Sequence, residues 1–184
     1  TGATGNIGQK LLAALSGKNI IGTSRTVSDE MQNIRKINNF SQLPKGNVLI
    51  HLAEENNREK ANSLKKKHVQ ETTNNMDQIL QIGFEHVIYA SSAYVYSDTK
   101  IHKRTEYENT EPYDYYTEAK LINEEKTLNA KGSVARIANI ISDIKQDCVV
   151  KDIITSFDQS SRIEVNDGSQ VRDFIFIQDV ISCF

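Results

Sequence analysis

The stretch 1-TGATGNIG-8 places Gly2, Gly5 and Gly8 three residues apart, directly ahead of an apolar helical pattern. Glycines at this spacing allow a tight turn and a close approach of the backbone to a ligand. A helix starting there would aim its free amide groups at anionic oxygens. The spacing is G-x-x-G-x-x-G rather than G-x-G-x-x-G, but the physics of a phosphate-cradling turn is shared. A glycine-rich helix entry with no ligand is the alternative. A turn of this kind needs a strand feeding into it, and none precedes Thr1.

Outward from the turn, strand-like and helix-like segments alternate. Ile7, Leu11, Leu12 and Leu15 recur at helical spacing, and 16-SGKN-19 stops the helix. Strands are predicted over 20–24 (IIGTS), 47–53 (NVLIHLA), 86–92 (HVIYASS) and 133–141 (SVARIANII). One polar helix is expected from about Lys60 to Ile82, closed by Gly83. Another follows Pro112 as YYTEAKLINEEKTLNA and ends at Lys131-Gly132. The stretch between Arg25 and His51 is short, and its strand is hard to place. Apolar strands separated by helices imply an α/β doubly wound parallel sheet covered on both faces. Regularity loosens past Ser142, which divides the chain into 1–142, a cofactor-binding domain, and 143–184, the start of a substrate-binding region.

Composition excludes several classes. With 38% hydrophobic and 25% charged residues over 184 positions, the chain is ordinary for a globular protein and long enough to bury a core. A net charge of −2 argues against a nucleic-acid or membrane-surface binder. The basic run Leu64–Lys67 reads as a solvated helix face. Cys148 and Cys183 are too few for a disulfide framework and resemble no metal site. No apolar run reaches membrane-spanning length, and a reducing, cytoplasmic compartment is expected.

Two further motifs carry chemistry. Tyr116 and Lys120 in 115-YYTEAK-120 are four apart, so a helix places them on one face. An ammonium near a phenol favours the phenolate, which lets the tyrosine exchange a proton nearer neutral pH. Tyr115 competes for the role but sits five before Lys120, off the best face. In 89-YASSAYVYS-97 a serine pair closes an apolar strand, at the sheet edge where doubly wound folds bind ligands. Ser92 could donate a hydrogen bond to a substrate oxygen while Tyr116 handles the proton.

Taken together, TGATGNIG, VLIHLA, VIYASSAYVY, YYTEAK, ARIAN and GSQVRDFIFIQDV resemble the extended short-chain dehydrogenases/reductases, specifically the NAD(P)-dependent sugar-nucleotide epimerase/dehydratase group. The resemblance covers nearly the whole chain, in the family's order. It implies a Rossmann-type fold, a catalytic set of Ser92, Tyr116 and Lys120, and a pyrophosphate lined by Gly2, Gly5, Asn6, Ile7 and Gly8. Leu52 and Ala53 would pass beside the cofactor, and Lys120 would also hold the nicotinamide ribose. Asn139 and Arg172 fall where the family contacts the substrate's nucleotide diphosphate, a role that suits arginine's bidentate geometry. An ion pair of Arg172 with Asp173 or Asp179 is the alternative. Relatives have a central strand before T-G-x-x-G and a longer substrate domain, so both ends are expected to be cut. They also dimerise through helices that include the Tyr-Lys helix, so a homodimer is possible.

Arg25 follows the second strand, where NAD-preferring relatives place an acidic residue. An arginine there suits the 2′-phosphate of NADP, with a surface arginine as the alternative. Ser92 is followed by Ala93-Tyr94 and not by the Asp-Glu pair of the 4,6-dehydratases. Nor is the cysteine of the epimerase-reductases present. A C4-type epimerase or a keto-reductase of a nucleotide-activated sugar is therefore expected. A reductase of a non-nucleotide carbonyl compound and a non-catalytic NAD(P)-binding sensor are the alternatives. Departures from the family pattern are Ser97 after VY, the turn Asn139–Asp143, and His68 in place of a helix asparagine. His51 reads as a strand residue near the cofactor.

Overall fold

A computed structural model describes residues 1–27, 33–96, 104–142, 149–160 and 171–184. Its elements are α1 (Asn6–Ala14), β1 (Gly22–Ser24), β2 (Ile34–Lys36), β3 (Val48–His51), α2 (Arg58–Ser63), α3 (Lys66–Gln81), β4 (His86–Ser92), α4 (Tyr115–Asn129), β5 (Ser133–Ile137), β6 (Asn139–Ile141), α5 (Val149–Ser160), β7 (Phe174–Phe176) and α6 (Ile177–Cys183). Among the described residues every strand pairing is parallel: β1 with β2, β3–β4–β5 in that order, and β6 with β7. This is the α/β, Rossmann-like architecture that the alternating pattern implies. The strand hard to place between Arg25 and His51 is β2.

Thr1–Ala3 stitches the first two sheets together. The Thr1 amino group donates to the Ile50 carbonyl of β3 at 2.5 Å, and the Ala3 amide donates to the Thr23 carbonyl of β1 at 3.1 Å. β4 carries the centre of the core. Val87 and Tyr89 pack with Leu49 of β3, Met76 and Ile79 of α3, and Ile37, Phe40 and Leu43 of the β2–β3 connection.

Four predicted spans change, one of them the strand expected over 47–53, which shortens to β3 and leaves Leu52 and Ala53 beyond its end. The helix expected from Lys60 to Ile82 is two helices, because Lys65 adopts the left-handed region at φ 53°. Residues 64–67 are all exposed, so no packing holds a helix through them. The basic run is thus solvated as expected, across the turn at Leu64 and Lys65 and the first two residues of α3. The strand expected over 133–141 divides at Ala138, where β4 ends and its partner strand must change. Ile137 is the last residue to pair with β4, and Asn139 begins the pairing with β7. The strand at 20–24 shortens to β1, with Ile21 exposed.

Candidate active site

The C-terminal ends of β1, β3, β4 and β5 open onto one cleft of about 730 Å³. Doubly wound sheets present their ligand crevice at this edge. The glycine turn forms one wall. Gly2 takes φ 72°, a left-handed conformation that glycine adopts without a Cβ penalty. A Cβ on Gly8 would lie 2.1 Å from the Gly2 carbonyl oxygen, so the turn can fold onto α1 only with glycine there. Gly5 precedes α1 without a side-chain cap, and no acidic residue occupies the first turn. That turn offers amides and a positive dipole end to an anion. Asn6 accepts a hydrogen bond from the Ser142 hydroxyl at 3.2 Å, and Ile7, Leu52 and Ala53 also line the cleft. These residues fit a dinucleotide's pyrophosphate.

Beyond the turn, Arg25 is exposed and stacks over the Phe40 ring at 5.2 Å. Beside it the hydroxyls of Thr4 and Ser24 meet at 2.9 Å, and that of Thr26 is within 3.4 Å of both. This hydroxyl cluster was not legible in the sequence, because it joins a glycine-turn residue to two residues at the end of β1.

The opposite wall belongs to β4 and α4. Asp114 caps α4: its carboxylate accepts from the Thr117 amide at 2.8 Å, and the Thr117 hydroxyl accepts from the Asp114 amide at 3.2 Å. The same carboxylate takes Arg58 Nε at 2.5 Å and Asn62 Nδ2 at 2.9 Å. Asn62 in turn accepts the Tyr116 amide at 3.0 Å, so α2 fixes the turn that presents the tyrosine. Tyr116, Lys120 and Ser92 are buried at 7%, 7% and 8% exposure, and all three line the cleft. Tyr115 is outside the lining.

The two serines divide their work. Ser91 donates to Glu124 at 2.5 Å, and Glu124 is gripped by the Arg136 guanidinium. Ser92 Oγ accepts the Tyr94 amide at 3.2 Å, which leaves its proton for the cleft. Lys120 Nζ donates to the Ala90 carbonyl at 2.9 Å and stands 5.8 Å from the centre of the Tyr116 ring.

Glu54 is the site residue that the motifs missed. Lys120 Nζ donates to its Oε2 at 2.6 Å, with both side chains at 9% exposure. Burial alone would push the carboxyl up and the ammonium down. Their mutual attraction outweighs it, leaving Glu54 below the ordinary carboxylate range and Lys120 above its ordinary value. The signal was a carboxylate three residues past the end of β3, at the sheet's ligand edge.

Asn139 lines the cleft and donates through its side chain to the Asp173 carbonyl at 3.0 Å. Arg172 lies outside the lining, exposed, with its guanidinium on the Val171 carbonyl at 2.9 Å. His51 is 1% exposed, as a strand residue beside the cleft, and burial holds its pKa at about 3. His68 is buried on α3. Ser97, Asp143 and Cys148 lie outside the described residues. Among the described residues no cluster of His, Cys, Asp and Glu could hold a metal, and no helix is long and apolar enough to cross a membrane.

Such a glycine turn, facing a Ser-Tyr-Lys wall across the edge of a parallel sheet, defines an NAD(P)-dependent enzyme of the extended short-chain dehydrogenase type. The chain belongs to the NAD dependent epimerase/dehydratase family, whose pattern it matches over residues 1–184. No curated protein matches it significantly. Among solved structures, it is similar to a UDP-N-acetylglucosamine 4-epimerase from Methanobrevibacter ruminantium, with TM-score 0.81, 19% identity, and 98% of this chain and 69% of that one covered. It is also similar to a UDP-glucose 4-epimerase from Thermotoga maritima, with TM-score 0.77, 18% identity, and 98% and 69% covered. A third is RMD from Pseudomonas aeruginosa, complexed with NADPH, with TM-score 0.76, 24% identity, and 99% and 68% covered.

Proposed function

We propose that the protein is an epimerase or keto-reductase of a nucleotide-activated sugar, with Tyr116 as its acid/base. The observation that carries this reading is the placement of Ser92, Tyr116 and Lys120 along one wall of the cleft that the glycine turn closes. The nicotinamide of a bound NAD(P) supplies hydride transfer. Tyr116 takes the proton of a sugar hydroxyl when that carbon is oxidised, and returns one to the carbonyl oxygen when it is reduced. Ser92 donates a hydrogen bond to the same oxygen. Lys120 supplies the positive charge that favours the phenolate and holds the nicotinamide ribose. Gly2, Gly5, Asn6, Ile7 and Gly8 hold the pyrophosphate, with Leu52 and Ala53 beside the dinucleotide.

Arg25 and the hydroxyls of Thr4, Ser24 and Thr26 favour NADP, since together they offer a charge and several donors to a 2′-phosphate. Asn139, whose side chain donates to the Asp173 carbonyl, and Arg172, the chain neighbour of Asp173, bind the substrate's diphosphate from the β6–β7 side. Residues 143–184 begin the part that selects the sugar, and helices that include α4 pair two copies in a homodimer. Ala93-Tyr94 after Ser92 offers no carboxylate for elimination, which favours epimerisation or reduction over dehydration. Relatives with a 4-epimerase name make UDP-sugars the first substrates to try.

The test is turnover of UDP-glucose, UDP-N-acetylglucosamine and their 4-keto derivatives with NAD(P)(H) present. Tyr116→Phe is expected to lower kcat by about 10²–10⁴-fold while leaving dinucleotide binding in place. Turnover that survives the substitution removes Tyr116 from the chemistry.

A further inference from the structure

Glu54 stands where the loop after β3 passes under α4, and both of its oxygens are engaged. Oε2 accepts from Lys120 Nζ at 2.6 Å and from the Tyr89 hydroxyl at 2.7 Å, and Oε1 accepts from Asn123 Nδ2 at 2.9 Å. His51 lies 3.8 Å from Oε1, but its pKa of about 3 keeps it neutral, so it does not compete with the lysine for the carboxylate. Lys120 is therefore the cation that Glu54 answers. Its ammonium is also held by the Ala90 carbonyl, and sits between the rings of Tyr89, at 5.0 Å, and Tyr116, at 5.8 Å.

We propose that Glu54 is a positioning residue for the Tyr116–Lys120 pair: as the buried counter-ion of Lys120 it fixes Nζ against Ala90 and sets how much positive charge Tyr116 feels. A lysine alone would favour the phenolate strongly. A carboxylate 2.6 Å from its nitrogen cancels much of that field at the distance of the tyrosine ring. The glutamate thereby tempers the charge that reaches the tyrosine and holds the lysine in one place. The other ionisable groups around the pair leave this balance in place. The hydroxyl of Tyr89 donates to Glu54, and Glu124 is paired with Arg136. His68 lies on α3, with burial as the main influence lowering its pKa. Tyr113 packs beneath Arg58.

The inference rests on the proposed function only in taking Tyr116 and Lys120 as the reacting pair. Its test needs no substrate. The protein is labelled with ¹³C at tyrosine Cζ and ¹⁵N at lysine Nζ, and both are followed by NMR against pH. Tyr116→Phe assigns one signal among the seven tyrosines, and Lys120→Arg assigns the other. Glu54→Gln keeps the shape and removes the charge. The first proton lost by the Tyr116–Lys120 pair is then expected at a pH lower by about one unit, a tenfold change in ionisation constant. Glu54→Asp, which keeps the charge on a shorter arm, should move the same step in the same direction by less, and it serves if the glutamine variant does not fold. Titrations that stay at the native pH in both variants, or in the aspartate variant alone if only that one folds, overturn the proposal. Failure to turn over any nucleotide sugar would sink the proposed function and leave this result standing. An unmoved titration in an active enzyme would sink only the role of Glu54.

Discussion

Lys120 and Arg25 line the same cleft, and the protein treats their charges in opposite ways. Lys120 is 7% exposed and closed by a carboxylate at 2.6 Å. Arg25 is exposed, rests on the Phe40 ring and, among the described residues, pairs with no carboxylate. Around Lys120 the acceptors come from the protein: Glu54 and the Ala90 carbonyl. Around Arg25 the neighbours are the hydroxyls of Thr4, Ser24 and Thr26, which can donate to an anion. One end of the cleft holds a charge balance fixed by folding, while the other carries a cation with no carboxylate partner among the described residues. Substitutions at the two ends should therefore fail differently, the first in stability and proton chemistry, the second in binding.

The largest expected effect breaks the closed end. Lys120→Met leaves Glu54 buried with only Tyr89 and Asn123 as donors, and unpairing a buried charge costs about 3–5 kcal/mol. Glu54→Leu combined with Lys120→Met removes both charges and should be closer to native stability than Lys120→Met alone. Urea unfolding of the three proteins measures this. The pH dependence follows from the directions of the shifts. The folded-state carboxyl of Glu54 is depressed, so its contribution is full above its unfolded range and lost as pH falls through its folded value. The raised ammonium of Lys120 contributes fully below its ordinary value and loses that contribution as pH rises through its folded one. The deficit of Lys120→Met should accordingly shrink on acidification, as the unpaired glutamate takes a proton. A Lys120→Met protein as stable as the native one would show that the pair is not closed.

The two ends were not equally legible in the sequence. The glycine turn, the strand ending at Ser92 and the helix bearing Tyr116 and Lys120 each carry a local period or spacing. Their placement on one sheet edge follows from strand–helix alternation alone. Glu54 has no such pattern: its role comes from Lys120, 66 residues away, and from Tyr89 and Asn123 on two other elements. The helix break at Lys65 and the division of the last predicted strand at Ala138 escaped for a related reason. Both are decided by which surface is available to pack against, and the residues on either side have ordinary propensities.

Arg25→Ala sharpens the open end. If the arginine receives a 2′-phosphate, its removal should weaken NADPH binding by about tenfold, or 1.4 kcal/mol, with NADH binding nearly unchanged. Fluorescence titration with each cofactor separates the two. Equal weakening for both would assign Arg25 to a part common to the two dinucleotides. No weakening of either would leave it a surface residue held by Phe40, and the contrast between the ends would collapse to burial alone.

The smallest effect lies just behind the closed end, at Asp114. Removing this cap by Asp114→Ala should cost about 1 kcal/mol. The exposed Arg58 adds little to that figure, because ion pairs with one solvated partner are weak. Burial would raise the Asp114 carboxyl, but hydrogen bonds from Thr117, Asn62 and Arg58 outweigh it and lower its pKa from 3.8 to about 2. A depressed carboxylate stabilises above its unfolded pKa and loses that contribution as pH falls through its folded value. The difference between native and Asp114→Ala proteins should thus be constant above about pH 5 and fade between pH 4 and pH 2, as followed by thermal unfolding. Because Asn62 holds both Asp114 and the Tyr116 amide, the same substitution should lower kcat several-fold without altering cofactor affinity. A loss of stability with kcat unmoved would mean that the tyrosine is oriented by Lys120 and Glu54 within the cleft, and that the α2 contact merely fastens the helix end.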